Sequence, residues 1–364
     1  MSLQMIELAL AFTDKDGSYS EHAAAALASV FRNTSSELQV HILHDDSLLE
    51  ENRNKLAQLA ADFKHPIHFY PVTLPVEMMD VLSGTGSIDR WTWGSLYRLL
   101  LPAVVPAERV IYLDCDVMVN MDITELWEIN LNGGYLGAIH DQGIHGIAEV
   151  VAVQGLNPET YFNSGVLLFD LNAIRQHVTW FEEMLNFFRA FPGTSMPDQD
   201  CLNHVFGGNC LLLDQRFNWF YVPGAEMDLQ QKIVHFAGDM KCWDPLSPGY
   251  VLYQDNLRLT PWSKEPVLPA PIKRSTDRKA RHLLMKRKTR KHSPRKPSSR
   301  HRSEREQSER VVMRKRRKAS RHSRYSRHKS ATGSGSKSRI LTMRRSSRRK
   351  HAMYIQGFSS GIYL

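Results

Sequence analysis

Apolar positions in this chain fall into short unbroken runs, separated by longer amphipathic stretches. Residues 6–12 (IELALAF) are interrupted only by Glu7 and end at Thr13 and Asp14, which predicts a buried strand opening into a polar loop. Residues 21–33 (EHAAAALASVFRN) are Ala-rich and helix-favouring, and Asn33 suits the stop. Residues 38–43 read as a second strand. Ser47 is placed to cap a helix over 48–62, where Leu48, Leu49, Leu56, Leu59 and Phe63 recur at near-helical spacing. Residues 67–70 predict a third strand, and 95–101 (SLYRLLL) a helix that stops before Pro102. Residues 109–113 (RVIYL) form an apolar strand running straight into Asp114. A strand over 166–169, a long amphipathic helix over 171–190 and a last strand over 233–236 follow. Strands that are apolar without alternation belong to a sheet covered on both faces, so the fold class is α/β.

Charge divides the chain in two. Residues 1–272 hold 34 of the 38 acidic residues but only 15 of the 47 Lys and Arg, a formal charge of −19 against +28 for the rest. Pro261, Pro266, Pro269 and Pro271 mark the exit from the folded part. The organisation read from this is a catalytic-sized domain over 1–262, a proline-rich linker over 263–272 and a basic Arg/Lys/Ser/His-rich segment over 273–364. That last segment has too few apolar residues to bury a core and is expected to be disordered.

Several classes are excluded. No run of about 20 apolar residues exists, so no transmembrane helix is expected. The apolar run at 6–12 is too short, and too acidic in its setting, for a secretory signal. Cys115, Cys201, Cys210 and Cys242 lack C-x-x-C spacing, which argues against a disulfide scaffold or a zinc ribbon. A reduced cytoplasmic compartment, peripheral at the inner face of the membrane, is the expectation.

Chemistry concentrates in four segments. In RVIYLDCDVMV (109–119), Asp114 and Asp116 stand two apart at the end of a buried strand, where an extended chain would point both at one hard cation. In IVHFAGDMKCW (233–243), His235 lies near a strand end and Lys241 supplies a point charge. One imidazole and two carboxylates make a mixed N/O site suited to Mn²⁺ or Mg²⁺, beside which Lys241 could neutralise a phosphate. MPDQDCLN (196–203) places Asp198, Gln199 and Asp200 at a helix start, which suits the helix dipole but leaves Gln199 unexplained. YFNSGVLLFD (161–170) places Asn163 and Gly165 before a buried strand, where turn chemistry is the plain reading.

The order YLDCDVMV, FNSGVLLFD, PDQDCLN and HFAGDMKCW resembles glycosyltransferase family 8, and AFTDKDGSY (11–19) and SLYRLLLP (95–102) are similar to that family's first loop and arginine helix. The resemblance spans residues 5–262. It implies a GT-A fold, Rossmann-like with a mixed central sheet, and a metal-dependent, retaining transfer of glucose or galactose from a UDP-sugar to a glycan or glycolipid. It implies Asp114, Asp116 and His235 as metal ligands and Ala11, Thr13, Asp14, Tyr19, Asp114, Cys115, Asp116, Gly238 and Lys241 around the nucleotide. Arg98, Asn163, Asp198 and Gln199 would surround the donor sugar, with Asp198 and Gln199 nearest the chemistry. Since an amide is a poor nucleophile, same-face attack is favoured over a covalent intermediate.

Two rivals come from other classes. A haloacid dehalogenase-type phosphatase also places D-x-D after a strand, but wants Thr or Val where Met118 stands, and an early position in the chain. A nucleic-acid-binding protein would act through RKRRK (314–318) and RRSSRRK (344–350), although only Tyr325 lies among these clusters to stack on bases. The same composition suits an anionic membrane surface better, and an extension with no function of its own stands level with that reading.

Overall fold

The apolar runs become strands buried on both faces. The computed structural model describes residues 5–83, 93–221 and 229–263, so the expected linker and basic segment lie outside the described residues, apart from Ser263. Strands β1 (Ile6–Phe12), β2 (Leu38–His44), β3 (Ile67–Pro71) and β4 (Arg109–Leu113) form the parallel half of a seven-stranded sheet. Strand β5 (Val117–Val119) leaves it, and β6 (Leu136–His140), β7 (Phe162–Asp170) and β8 (Cys210–Leu212) complete it in the order β3-β2-β1-β4-β7-β6-β8. Strand β7 runs against its neighbours β4 and β6, so the sheet is mixed, as expected. A small second sheet joins β5 to β9 (Trp219–Phe220) and β10 (Ile233–His235), with β10 in the middle.

Each central strand feeds two cores. Leu8, Leu10 and Phe12 of β1, Ile111 and Leu113 of β4, and Val166 and Leu168 of β7 pack with helices α1 (Tyr19–Asn33) and α2 (Glu50–Asp62). Their alternate neighbours Ala9, Ala11, Val110, Tyr112, Leu167 and Phe169 pack on the other face, with the helices Trp180–Ala190 and Pro197–Phe206. This double coverage is why the central strands β4 and β7 are apolar without the alternation of a half-exposed sheet, whereas the edge strand β3 is only partly buried.

Local detail departs from expectation in four places. The helix expected over 171–190 is two helices, Leu171–Gln176 and Trp180–Ala190, parted at His177, whose ψ of 79° leaves the helical region. The helix expected over 95–101 is a succession of short turns, Trp93–Leu96, Tyr97–Leu100 and Leu101–Val104, and Pro102 opens the last of them instead of stopping it. That is the place where a proline costs no helical hydrogen bond. Ser47 caps nothing, since Leu49 precedes α2, and its Oγ accepts the Asp14 N–H at 2.6 Å. Asn163 and Gly165 do not precede a strand but lie within β7.

Candidate active site

Two ladders deliver the acidic residues. Beyond the end of β4 the Asp114 N–H donates to the Gly165 carbonyl at 2.8 Å, and just before β5 the Asp116 carbonyl accepts the Phe236 N–H at 3.1 Å. Asp114-Cys115-Asp116 is therefore a turn between two sheets and not the extended segment read from the sequence. The convergence expected of it still occurs: ligand atoms of Asp114, Asp116 and His235 all lie within 4.8 Å of one another. His235 Nε2 stands 3.3 Å from Asp116 Oδ1 and 4.0 Å from Asp114 Oδ2. Asp116 Oδ1 is buried and has no hydrogen-bond partner. Space for the cluster depends on Gly165, because a Cβ there would stand 2.2 Å from His235 Cε1 and 2.9 Å from Asp114 Oδ2.

Two cations hold the carboxylates. The Arg98 guanidinium donates to Asp114 Oδ1 at 2.7 Å and to Asp114 Oδ2 at 3.3 Å, while its Nε lies 3.3 Å from Asp198 Oδ2. It also covers the Tyr112 ring at 4.7 Å, and the Tyr112 hydroxyl donates to Asp114 Oδ1 at 2.8 Å. Burial disfavours the Arg98 cation, but Asp114 and the other nearby groups more than restore it, so its pKa rises. Lys241 Nζ donates to Asp116 Oδ2 at 2.7 Å and to the Phe236 carbonyl at 3.1 Å. Burial works against the ionised form of Asp116, yet the Lys241 ammonium overcomes it and holds that carboxyl well below the ordinary range. Burial dominates at Asp198, whose carboxyl is pushed up despite Arg98.

The turn carrying Arg98 sits hard against the sheet. A Cβ on Gly94 would stand 2.8 Å from both Phe12 Cα and Thr13 N, so only glycine permits this approach.

Amides fill the other side of the site. Gln199, in the first turn of Pro197–Phe206, accepts the Ser164 N–H and an Asn163 N–H on its Oε1, each at 3.0 Å. Its Nε2 donates to Asp141 Oδ2 at 3.0 Å and to the Tyr161 hydroxyl at 3.1 Å. Asn163 Nδ2 also reaches Asp141 at 3.2 Å, and the Ser164 hydroxyl donates to Asp198 Oδ2 at 3.0 Å. Asn218 Nδ2 donates to Asn163 Oδ1 at 2.8 Å, and Asn218 Oδ1 meets His235 Nδ1 at 2.9 Å.

The first loop is tied down as well. The carboxylate of Asp14, almost fully buried, accepts from the Ser20 N–H and hydroxyl and from Asn52 Nδ2. Ala11 and Thr13 are buried beside it, and Cys115 is buried in the acidic turn. Tyr19 opens α1 and packs edge-on against Trp243, and burial near Asp116 pushes its hydroxyl pKa up. Trp243 in turn stacks on His22 at 3.7 Å, anchoring the loop of Lys241 to α1. Gly238 is exposed in that loop, with open space where a Cβ would stand.

The structure thus brings Asp114, Asp116, His235, Lys241, Arg98, Asn163, Asp198 and Gln199 into one cluster. Tyr112, Asp141, Ser164 and Asn218 belong to it without having been singled out. Asn218 lies in QRFN (215–218), where nothing in the spacing marks it, and only the fold brings it to His235. Among the described residues, no helix is long and apolar enough to cross a membrane.

Comparison with known proteins agrees with this architecture. The family model for glycosyl transferase family 8 matches residues 10–246. A Haemophilus influenzae protein described as a putative glycosyltransferase is 28% identical over 242 residues, covering 63% of this chain and 71% of that protein. The lipopolysaccharide 1,2-glucosyltransferase of Escherichia coli K12 is 24% identical over 294 residues, covering 74% and 83%. The crystal structure of the galactosyltransferase LgtC in complex with donor and acceptor sugar analogues superposes with a TM-score of 0.60 at 23% identity, covering 72% of this chain and 98% of that one, a likeness of fold.

Proposed function

The chain belongs to glycosyltransferase family 8, and from that premise we propose that it moves glucose or galactose from a UDP-sugar to a glycan or glycolipid acceptor, with retention of configuration. The observation that carries the reading is the convergence of Asp114, Asp116 and His235 around a buried, unpartnered carboxylate oxygen, in a space only glycine leaves open. Those three residues would hold Mn²⁺ or Mg²⁺, whose chemistry when bound is to offset the negative charge of the diphosphate.

The chain's own residues account for the rest. Lys241, paired with Asp116 in the nucleotide-free protein, would share its ammonium with a diphosphate oxygen and favour the charge that grows there as the sugar leaves. Tyr19, Thr13 and Asp14 would line the nucleotide. Arg98, held by Asp114 and Asp198, fixes the distance between the nucleotide side and the sugar side. Asn163, Asp198 and Gln199 would meet the sugar hydroxyls. Gln199 is an amide bonded at both ends, which suits positioning and not covalent attack. The acceptor oxygen would therefore attack from the face that the phosphate leaves. Its proton would pass to the departing phosphate oxygen as the bond from the anomeric carbon to that oxygen breaks.

Release of UDP from UDP-glucose and UDP-galactose, with Mn²⁺ and with EDTA, tests this. Turnover of one donor is expected, lost in EDTA, and lowered at least about 1000-fold by Asp116→Ala with the circular dichroism spectrum unchanged. Release that EDTA leaves intact with both donors would defeat the assignment.

A further inference from the structure

The chain of amides that ends on His235 has a readable direction. The Gly165 N–H meets Asn163 at 2.9 Å, and a backbone N–H can only donate, so the Asn163 atom facing it is the oxygen. Asn218 reaches that same oxygen at 2.8 Å and can do so only through Nδ2. Its other end, Oδ1, then faces His235 Nδ1 at 2.9 Å. An amide oxygen only accepts, so Nδ1 must carry the proton. In the neutral ring this leaves Nε2 bare, and Nε2 is the atom turned toward Asp116 Oδ1 at 3.3 Å and Asp114 Oδ2 at 4.0 Å.

Geometry allows little else. Asn218 is fully buried at the end of the turn Gln215–Asn218, and its carbonyl accepts from Gln142 Nε2 at 2.7 Å. Phe220 stands edge-on to the His235 ring, with centroids 5.4 Å apart. Gly165 therefore acts twice: its missing side chain admits the ring, and its N–H sets the polarity of the bonds that orient it.

We propose that Asn218 is a positioning residue that locks His235 in the Nδ1–H tautomer and so presents the Nε2 lone pair to a divalent cation. The cation half of this rests on the function proposed above; the tautomer half does not. Outer partners of this kind fix the tautomer of metal-binding histidines, and their loss typically weakens metal affinity by 10–100-fold.

The test uses the full chain. Nitrogen-15 shifts of the metal-free protein, taken at alkaline pH, should place the His235 proton on Nδ1, and this measurement needs no variant. Mn²⁺ affinity, read by electron paramagnetic resonance without nucleotide, should fall about 10–100-fold in Asn218→Ala, with the tautomer no longer fixed. Asn218→Asp still offers an acceptor to Nδ1 and should keep the tautomer, while the oxygen it sets against Asn163 Oδ1 should lower the melting temperature and not move the proton. A proton on Nε2, or a folded Asn218→Ala that binds Mn²⁺ as before, overturns the proposal. A proton on Nδ1 in a chain that binds no Mn²⁺ would overturn the cation reading and leave the tautomer standing.

Discussion

The two sides of the site are held by different physics. On one side Asp114, Asp116 and Asp198 are balanced by Arg98 and Lys241, and the pairing is set by opposite charge. On the other, Asn163, Gln199 and Asn218 join one another and Asp141 through hydrogen bonds whose direction a backbone N–H dictates. A charge cluster can exchange partners when an anion arrives, since Lys241 need only redistribute its donors. A chain of oriented amides cannot, because reversing one member leaves two donors or two acceptors facing each other. The charged half is thus suited to a ligand whose charge changes during reaction, and the amide half to one whose shape must be recognised.

The contrast can be broken most sharply at Arg98, which touches both sides. Arg98→Leu would leave the buried Asp198 and the partly buried Asp114 without their cation, and should lower unfolding free energy by about 3 kcal/mol in a urea titration. A loss under about 1 kcal/mol would mean that the carboxylates are compensated elsewhere. Gln199→Ala should separate the halves. Asn163 keeps its bond to Gly165, so Mn²⁺ and UDP affinities by calorimetry should stay within about threefold, while sugar transfer falls about 100-fold. Equal losses of nucleotide binding and transfer would merge the two regions into one.

The smallest effect concerns the anchor of the Lys241 loop. Burial lowers the His22 pKa to about 4, below the ordinary value of 6.5. The unfolded chain therefore takes up the proton first, and stability present above pH 6.5 is lost progressively as pH falls toward 4. Between pH 7.5 and 5 this loss should reach roughly 1–2 kcal/mol. His22→Phe, which keeps a ring against Trp243, should flatten the melting temperature over that range. An unchanged slope would place the pH sensitivity elsewhere.

Much of this was legible in the sequence because it depends on local pattern. Apolar runs reported strands covered on both faces, and Asp114, Asp116 and His235 each stood at a strand end where polar residues are conspicuous. What escaped were residues whose meaning is tertiary. Asn218 sits in an unremarkable turn, and Asp141 follows β6 in a segment without periodicity. Asn163 resembled turn chemistry, because amide residues are rare inside strands, yet here its side chain is satisfied by Gln199, Asp141 and Asn218. Ser47 and the 171–190 helix show the same limit, since a capping residue or a helical period describes neighbours and not distant partners.

The pairing of β5 with β10 carries a final consequence. Val117 lies opposite His235 in that antiparallel ladder, so strand phase sets the imidazole beside the acidic turn. Only the loops between residues 119 and 233 are then free to drift through insertion and loss, since β6, β7, the Gln199 helix and the Asn218 turn must keep their places. Phase is not free. One residue gained or lost within Val117–Val119 or Ile233–His235 would rotate the histidine to the opposite face of the small sheet. Diversification of such a chain is therefore open in its loops and closed in its ladders, these six residues among them.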